Sequence, residues 1–322
     1  MEKDENNQLS DEDQWLKFYS KSISDLADFG EELYRVFFEM IDFNPVNILS
    51  GVNYFKNFVE IIDSISVNIS KSIATAPTRI LIRAATEYFF SLMYLFENKN
   101  SVEQKSLTIS YCSIIEDMRG YEPFFPENIK ETEKKLKSEN VKYQKIDLGD
   151  LDYGAKAKYF KDLLGHPDFK EIKLEYLATS KSPRFKAKKY IPWYSLWDGP
   201  TNVKALASKT GTINIYESIY NEFSHYTHGS KSFQKDFIHQ DGNGSLRMYQ
   251  KRTPYNLKFV SDPSRILCAI LFLRFIKIIG NNDQILYSKL NEIRLQFERI
   301  NPKDEPIDID KGLVLKFPSI NG

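Results

Sequence analysis

Cysteine is nearly absent from this chain, and so are the signatures that cysteine chemistry would leave. The 322 residues hold only Cys112 and Cys268. Two isolated cysteines give neither a disulfide framework nor a CxxC metal motif, so the expectation is a pair of buried, reduced thiols in a cytoplasmic protein. Histidine is almost as rare, with His166, His225, His228 and His239 making up the set. The 14 glycines are scattered. No phosphate-cradling loop and no nucleophile elbow can be assembled from them, so neither a cofactor nor a metal is predicted.

Net charge is missing too, because Lys+Arg and Asp+Glu both number 44. A dedicated duplex-DNA binder would carry a clear basic excess, so that class is disfavoured. Long apolar runs are absent as well. The most apolar stretch, Ile266–Ile279, contains Arg274 and Lys277. It is shorter than the ~20 residues a bilayer requires, so it reads as a buried core helix, and no membrane partner is expected.

What the chain does have is aromatic bulk, 23 Phe and 19 Tyr, and apolar residues at helical spacing. Chain length allows a core large enough to need no staples. The fold class predicted is all-α, an antiparallel helical bundle with a partly irregular middle insertion. The expected organisation is a disordered leader over 1–13, core helices over 14–120, a charged and irregular insertion over 121–200, core helices over 201–300, and a Pro-rich tail over 301–322. Within it, Gly120 is expected to end one helix and the Asp262-Pro263-Ser264 start to open another. Residues 239–254, polar and Gly-rich, read as a loop or small hairpin.

The helix expected over Thr78–Asn98 is apolar all round, as a helix buried among neighbours must be. It nevertheless carries Arg83 and Glu87, four apart and able to pair. A second helix is expected from Asn214 to His228, closed by Gly229. At ~100° per residue, Tyr216, Tyr220, Phe223 and Thr227 form its core stripe, with Asn221, His225 and His228 opposite. Histidines in a last turn sit where the helix dipole favours the imidazolium, and can serve as acid or base near neutral pH. The bland alternative is a pair of exposed histidines bonding the last carbonyls. Glu222-x-x-His225 followed by Asp236-x-x-His239 loosely echoes the ligands of di-metal bundles, but the other carboxylates such a site needs are not evident.

One further stretch is locally basic. Lys181, Arg184, Lys186, Lys188 and Lys189 precede Tyr190, Trp193 and Tyr194. Lys186, Lys188, Lys189 and Trp193 are the expected contacts if single-stranded nucleic acid binds here by phosphate neutralisation and base stacking. A solvated linker followed by aromatic anchors accounts for the same residues.

The Arg83-Ala84-Ala85-Thr86-Glu87 helix resembles the Arg-x-x-x-Glu helix of domain-of-unknown-function family 5677, described from bacterial proteins. So does the later series: Trp197, then Asn202-Val203-Lys204-Ala205-Leu206-Ala207, then Tyr216 and Tyr220, then Ser224 and His228-Gly229-Ser230. The resemblance covers about Thr78–Phe233 and implies one constellation of Arg83, Glu87, Ser224 and His228. The layout is also similar to HEPN-type helical domains of phage-defence and toxin systems, which cut RNA with an Arg and a His four to six residues apart on one helix. That spacing fails here, because residues 218–220 before His225 and 221–223 before His228 contain no Arg. Arg83 would have to supply the cation from another helix.

The expectation is a helical effector acting on RNA without a metal, with His228, His225, Arg83, Glu87, Ser224 and Asn221 as site residues. RNA and a protein of a defence operon are the expected partners, and self-association into a homo-oligomer is expected. The alternative is a non-catalytic helical module that binds a partner protein or nucleic acid.

Overall fold

The computed structural model describes residues 11–39, 49–139, 152–186, 190–227, 238–240, 246–248 and 257–298. The helices in chain order are α1 (Asp11–Glu39), α2 (Leu49–Ser70), α3 (Ala76–Leu95), α4 (Val102–Tyr121), α5 (Ile129–Ser138), α6 (Tyr153–Leu164) and α7 (Lys170–Lys181). They continue with α8 (Val203–Lys209), α9 (Ile213–Ile215), α10 (Asn221–Thr227), α11 (Leu257–Ile278) and α12 (Gln284–Glu298). A π turn, Tyr216–Tyr220, joins α9 to α10. The fold is an all-α helical bundle. Its one departure among the described residues is a small antiparallel hairpin, β1 (Ile238–Gln240) with β2 (Leu246–Met248), in which Ile238 faces Met248. The expected leader lies outside the described residues up to position 10, and Asp11–Asp13 already belong to α1. The tail after 301 lies outside them entirely.

The chain divides into two units, and the first comprises Met1–Asp42, Val52–Ser101 and Val203–Gly322. Here α11 packs against α1, α3 and α12, while α3 also receives α8 and α10. The core is built from phenylalanine. Phe275 stacks on Phe55 at 5.2 Å and meets Phe96 and Phe37 edge-on at 5.3 and 5.7 Å. Phe272 meets Phe29 at 5.8 Å beside it. Such offset and edge-on pairs add to simple area burial. Gly30 of α1 permits this closeness, since a Cβ there would lie 2.9 Å from both Phe272 and Val59.

Arg274, charged within the most apolar helix, has a defined task. Its Nε and Nη2 donate to the carbonyls of Phe96 and Glu97 at 3.0 and 3.1 Å. These are orphan acceptors at the end of α3, so the guanidinium serves as its C-terminal cap. Asp283 does the converse for α12, accepting from the amides of Ile285 and Leu286 at 2.8 and 3.3 Å.

The second unit comprises Phe43–Gly51 and Val102–Asn202. Within it, α4 packs on α6, α7 and a single turn at Trp193–Ser195. Phe125, Ala157 and Phe160 form a small core with Ile114, Met118 and Tyr121. Helix α5 buries none of its residues, as its charge pattern predicts.

Two helix ends differ from the sequence expectation. Helix α4 runs through Gly120 to Tyr121, because nothing there requires a positive φ and the stop comes from Pro123 in the following turn. Helix α11 starts at Leu257, so Pro263 lies inside it; buried Leu257 and Val260 extend the apolar face upstream. The first difference carries a prediction. A Cβ at Gly120 would meet no atom within 4 Å. Gly120→Ala should therefore stabilise the chain by about 0.4–1 kcal/mol, read as a raised urea midpoint at unchanged m-value.

Among the described residues, no helix is long and apolar enough to cross a membrane. Both thiols are buried, and burial pushes the Cys112 thiol up to about 12 and the Cys268 thiol higher still. Neither is a nucleophile at neutral pH.

Candidate functional site

Helix α3 begins at Ala76-Pro77, where proline's missing N–H costs nothing, and Thr78 donates its hydroxyl to the Ile73 carbonyl. Three charged residues then follow at one-turn intervals on a helix otherwise apolar: Arg79, Arg83 and Glu87. Each lies within reach of α10 or the π turn before it.

Arg83 Nη2 meets Glu87 Oε1 at 2.9 Å, with the side chains 20% and 39% exposed. The Tyr220 hydroxyl closes the triangle. It accepts from Arg83 Nη2 at 3.2 Å and donates to Glu87 Oε1 at 3.0 Å. The Arg83 guanidinium also lies over the Tyr220 ring, 5.3 Å from its centroid. Burial, then the Glu87 carboxylate, raise the Tyr220 hydroxyl above its ordinary value against the opposing pull of Arg83, so it remains a donor. Arg83 Nε is buried with no acceptor among the described residues, so its partners do not exhaust the guanidinium.

One turn earlier, Arg79 is almost fully buried, at 2%. Its Nε donates to the Ala74 carbonyl at 3.3 Å and its Nη1 to the Tyr226 hydroxyl. Its guanidinium stands 4.7 Å from the Tyr226 ring and 5.2 Å from that of Phe259. The two arginines thus grip the neighbouring segment at two heights, Arg83 through Tyr220 of the π turn and Arg79 through Tyr226 of α10. The sequence reading missed Arg79. The signal was present: a charged residue at i−4 from Arg83 on the same apolar helix.

The buried stripe of this region is Ile215, Ile219, Phe223 and Tyr226. Of the stripe that straight-helix geometry predicts, Phe223 is buried, Tyr216 and Tyr220 are not, and the side chain of Thr227 lies outside the described residues. The π turn is the reason: its wider i→i+5 step rotates everything after it, so Phe223 leaves the arc of Tyr216. Tyr216 and Tyr220 are half-buried instead, stacked at 5.0 Å and resting on Phe90. Such π turns recur at functional sites.

The other expected residues divide. Ser224 lies one turn past Tyr220 on α10 and is half-buried; His225 is exposed on the same helix. Asn221 is engaged elsewhere, donating to Glu217 at 2.8 Å, while Glu217 pairs with Lys204 at 2.8 Å. His228 follows α10 directly but lies outside the described residues, as do Lys188, Lys189 and Asp236. Lys186 is exposed. Trp193 is corrected: it is 6% exposed and packs in its own unit, so it offers no face for stacking. Among the described residues, no group of three or more His, Cys, Asp or Glu is placed to hold a metal.

A cleft of about 390 Å³ lies between α1 and α12, lined by residues including Asp25, Asp28, Glu32, Glu292, Lys21 and Lys289. Burial, then Asp25, raise the Asp28 carboxyl above its usual range. The excess of carboxylates repels a polyanion, and the cleft contains none of the residues above.

The arrangement defines a class: an all-α protein with an Arg–Glu–Tyr cluster between one buried helix and a π-bulged one. The chain belongs to a family of unknown function, DUF5677, whose model matches residues 51–245. Comparison with curated proteins and with solved structures returns no match.

Proposed function

We propose that the protein is a helical effector acting on RNA, with the α3–α10 cluster as its phosphate-handling centre. One observation carries the reading. Arg83 and Glu87 share hydrogen bonds with Tyr220, and the helix that follows carries His225 and leads directly to His228. In this reading Arg83 meets the charge that develops on a phosphodiester. Glu87 and Tyr220 hold its guanidinium in one orientation. His228, with His225, moves the protons.

The reaction is transesterification. The ribose 2′-oxygen gives its proton to one imidazole and bonds to phosphorus. The bond to the 5′-oxygen breaks, and that oxygen takes a proton from the second imidazole. The products are a 2′,3′-cyclic phosphate and a free 5′-hydroxyl, and no further reactant is required. Cytoplasmic action, homo-oligomerisation and a partner protein in a defence operon belong to the same proposal.

A second reading, a non-catalytic module for a partner protein or nucleic acid, has its own support. Glu87 already neutralises Arg83, so the cluster is also stable as a structural device.

The test is cleavage of total cellular RNA by the purified chain, with and without EDTA, beside His228→Ala. Cleavage insensitive to EDTA and lost in His228→Ala is the expected result. Cleavage lost with EDTA puts a metal in the mechanism and contradicts the proposal. No cleavage under any condition favours the binding module.

A further inference from the structure

The second unit holds a feature that the α3–α10 cluster does not use. Trp197 and Asp198, consecutive and neither of them glycine, have φ of +58° and +55°. L-residues rarely adopt this left-handed conformation even singly. The loop enforces it. The Trp197 amide donates to Glu175 Oε1 at 2.9 Å, and the Thr179 hydroxyl donates to the same oxygen at 2.9 Å. Ser195 Oγ donates to the Pro200 carbonyl at 2.5 Å. Gly199 is obligatory, since a Cβ there would lie 1.9 Å from the Tyr194 carbonyl oxygen. The outcome is a tryptophan held 42% exposed by a rigid backbone, while its neighbour Trp193 is buried.

The surroundings are basic. Asp198 meets Arg184 at 3.6 Å, which brings the chain around Arg184 beside Trp197. Phe185 is 2% exposed and anchors that chain. Arg184 and Lys186, on either side of it, are both exposed. From Lys170 to Lys186 the basic residues are Lys170, Lys173, Lys181, Arg184 and Lys186, against Glu171 and Glu175; Glu175 is committed to Trp197, and Asp198 pairs with Arg184. Tyr190, 44% exposed, adds a second ring nearby in sequence.

We propose that this face of the second unit takes a single-stranded polynucleotide, a base stacking on Trp197 and the adjoining phosphate meeting Arg184 and Lys186. The chemistry fits one occupant class. An indole that is 42% exposed leaves ring surface for an unpaired base to stack on, and the flanking cations neutralise the backbone. A duplex keeps its bases stacked inside and offers no such face. The proposal deepens the RNA reading by assigning where the strand is held, and its test reads binding without cleavage.

The full chain is titrated into a fluorescein-labelled oligouridylate of about 12 nucleotides, and into oligothymidylate, which lacks the 2′-hydroxyl and is not cut by transesterification. Trp197→Ala should weaken both about tenfold, and Trp197→Phe by less than threefold. Arg184→Gln, at a side chain 52% exposed, should flatten the dependence of log K on log salt. Thermal melts of each variant establish that it is folded. Trp197→Ala folded and binding with unchanged affinity, preference for a duplex of the same length, or no saturable binding by the wild type would each overturn the proposal. Strand binding without RNA cleavage counts against the catalytic reading alone; cleavage with binding indifferent to Trp197 counts against this proposal alone.

Discussion

Arg83→Gln is expected to slow RNA cleavage by about 10²- to 10³-fold, the loss typical of one preorganised charge-stabilising donor. Glutamine keeps a polar, hydrogen-bonding side chain but is shorter than arginine and removes the cation. The variant leaves Glu87 without its cation, yet Glu87 still accepts from Tyr220 and is 39% exposed, so it remains solvated. The accompanying loss of stability should stay within about 1 kcal/mol, as for other partly exposed pairs. The two readings of the cluster separate on this ratio. A functional arginine gives a large kinetic loss with a small shift in urea midpoint. A structural arginine gives the reverse, and the measurement is single-turnover cleavage beside urea denaturation of the same preparation.

Phe275→Ala should be strongly damaging to the fold. Phe275 is fully buried and touches the rings of Phe37, Phe55 and Phe96, so it joins α1, α2, α3 and α11. Truncation removes the transfer energy of a whole ring and leaves a cavity that rigid neighbours cannot fill. The expected cost is about 3–5 kcal/mol. Against a total of about 5–15 kcal/mol, that lowers the urea midpoint steeply. The change also bears on α3, because Arg274, the residue before Phe275, caps its end. Phe275→Leu, which keeps most of the volume, should cost much less.

How far the site could be read in advance depended on whether the backbone stayed regular. Arg83 and Glu87 were legible because α3 is a straight helix and i, i+4 charges on it must share a face. Proline marked its start and its apolar surface pointed to burial, which holds from Phe89 to Leu95, while Ile80 stays 39% exposed. The α10 region was not legible to the same degree. A π turn leaves no sign in spacing alone, so regular spacing places Tyr216 and Tyr220 in the core, whereas their rings lie at its edge and the Tyr220 hydroxyl joins the Arg83–Glu87 pair. Local signals misled where tertiary packing overrode them. Pro263 reads as a helix opener, yet upstream burial of Leu257 and Val260 carries α11 through it. Gly120 reads as a stop, yet α4 continues past it. Trp193 and Trp197 cannot be ranked by composition, since what exposes one and buries the other is a left-handed pair of backbone angles.

The proposed mechanism has Arg83 and His228 act on one phosphodiester. The most direct measurement is single-turnover cleavage of one labelled RNA by the wild type, Arg83→Gln, His228→Ala and the double variant. Residues acting in one transition state are strongly non-additive. A shared transition state gives a large loss in each single variant and little further loss in the double. Multiplicative losses, an Arg83→Gln variant as fast as the wild type, or a wild type that leaves the RNA intact would contradict it.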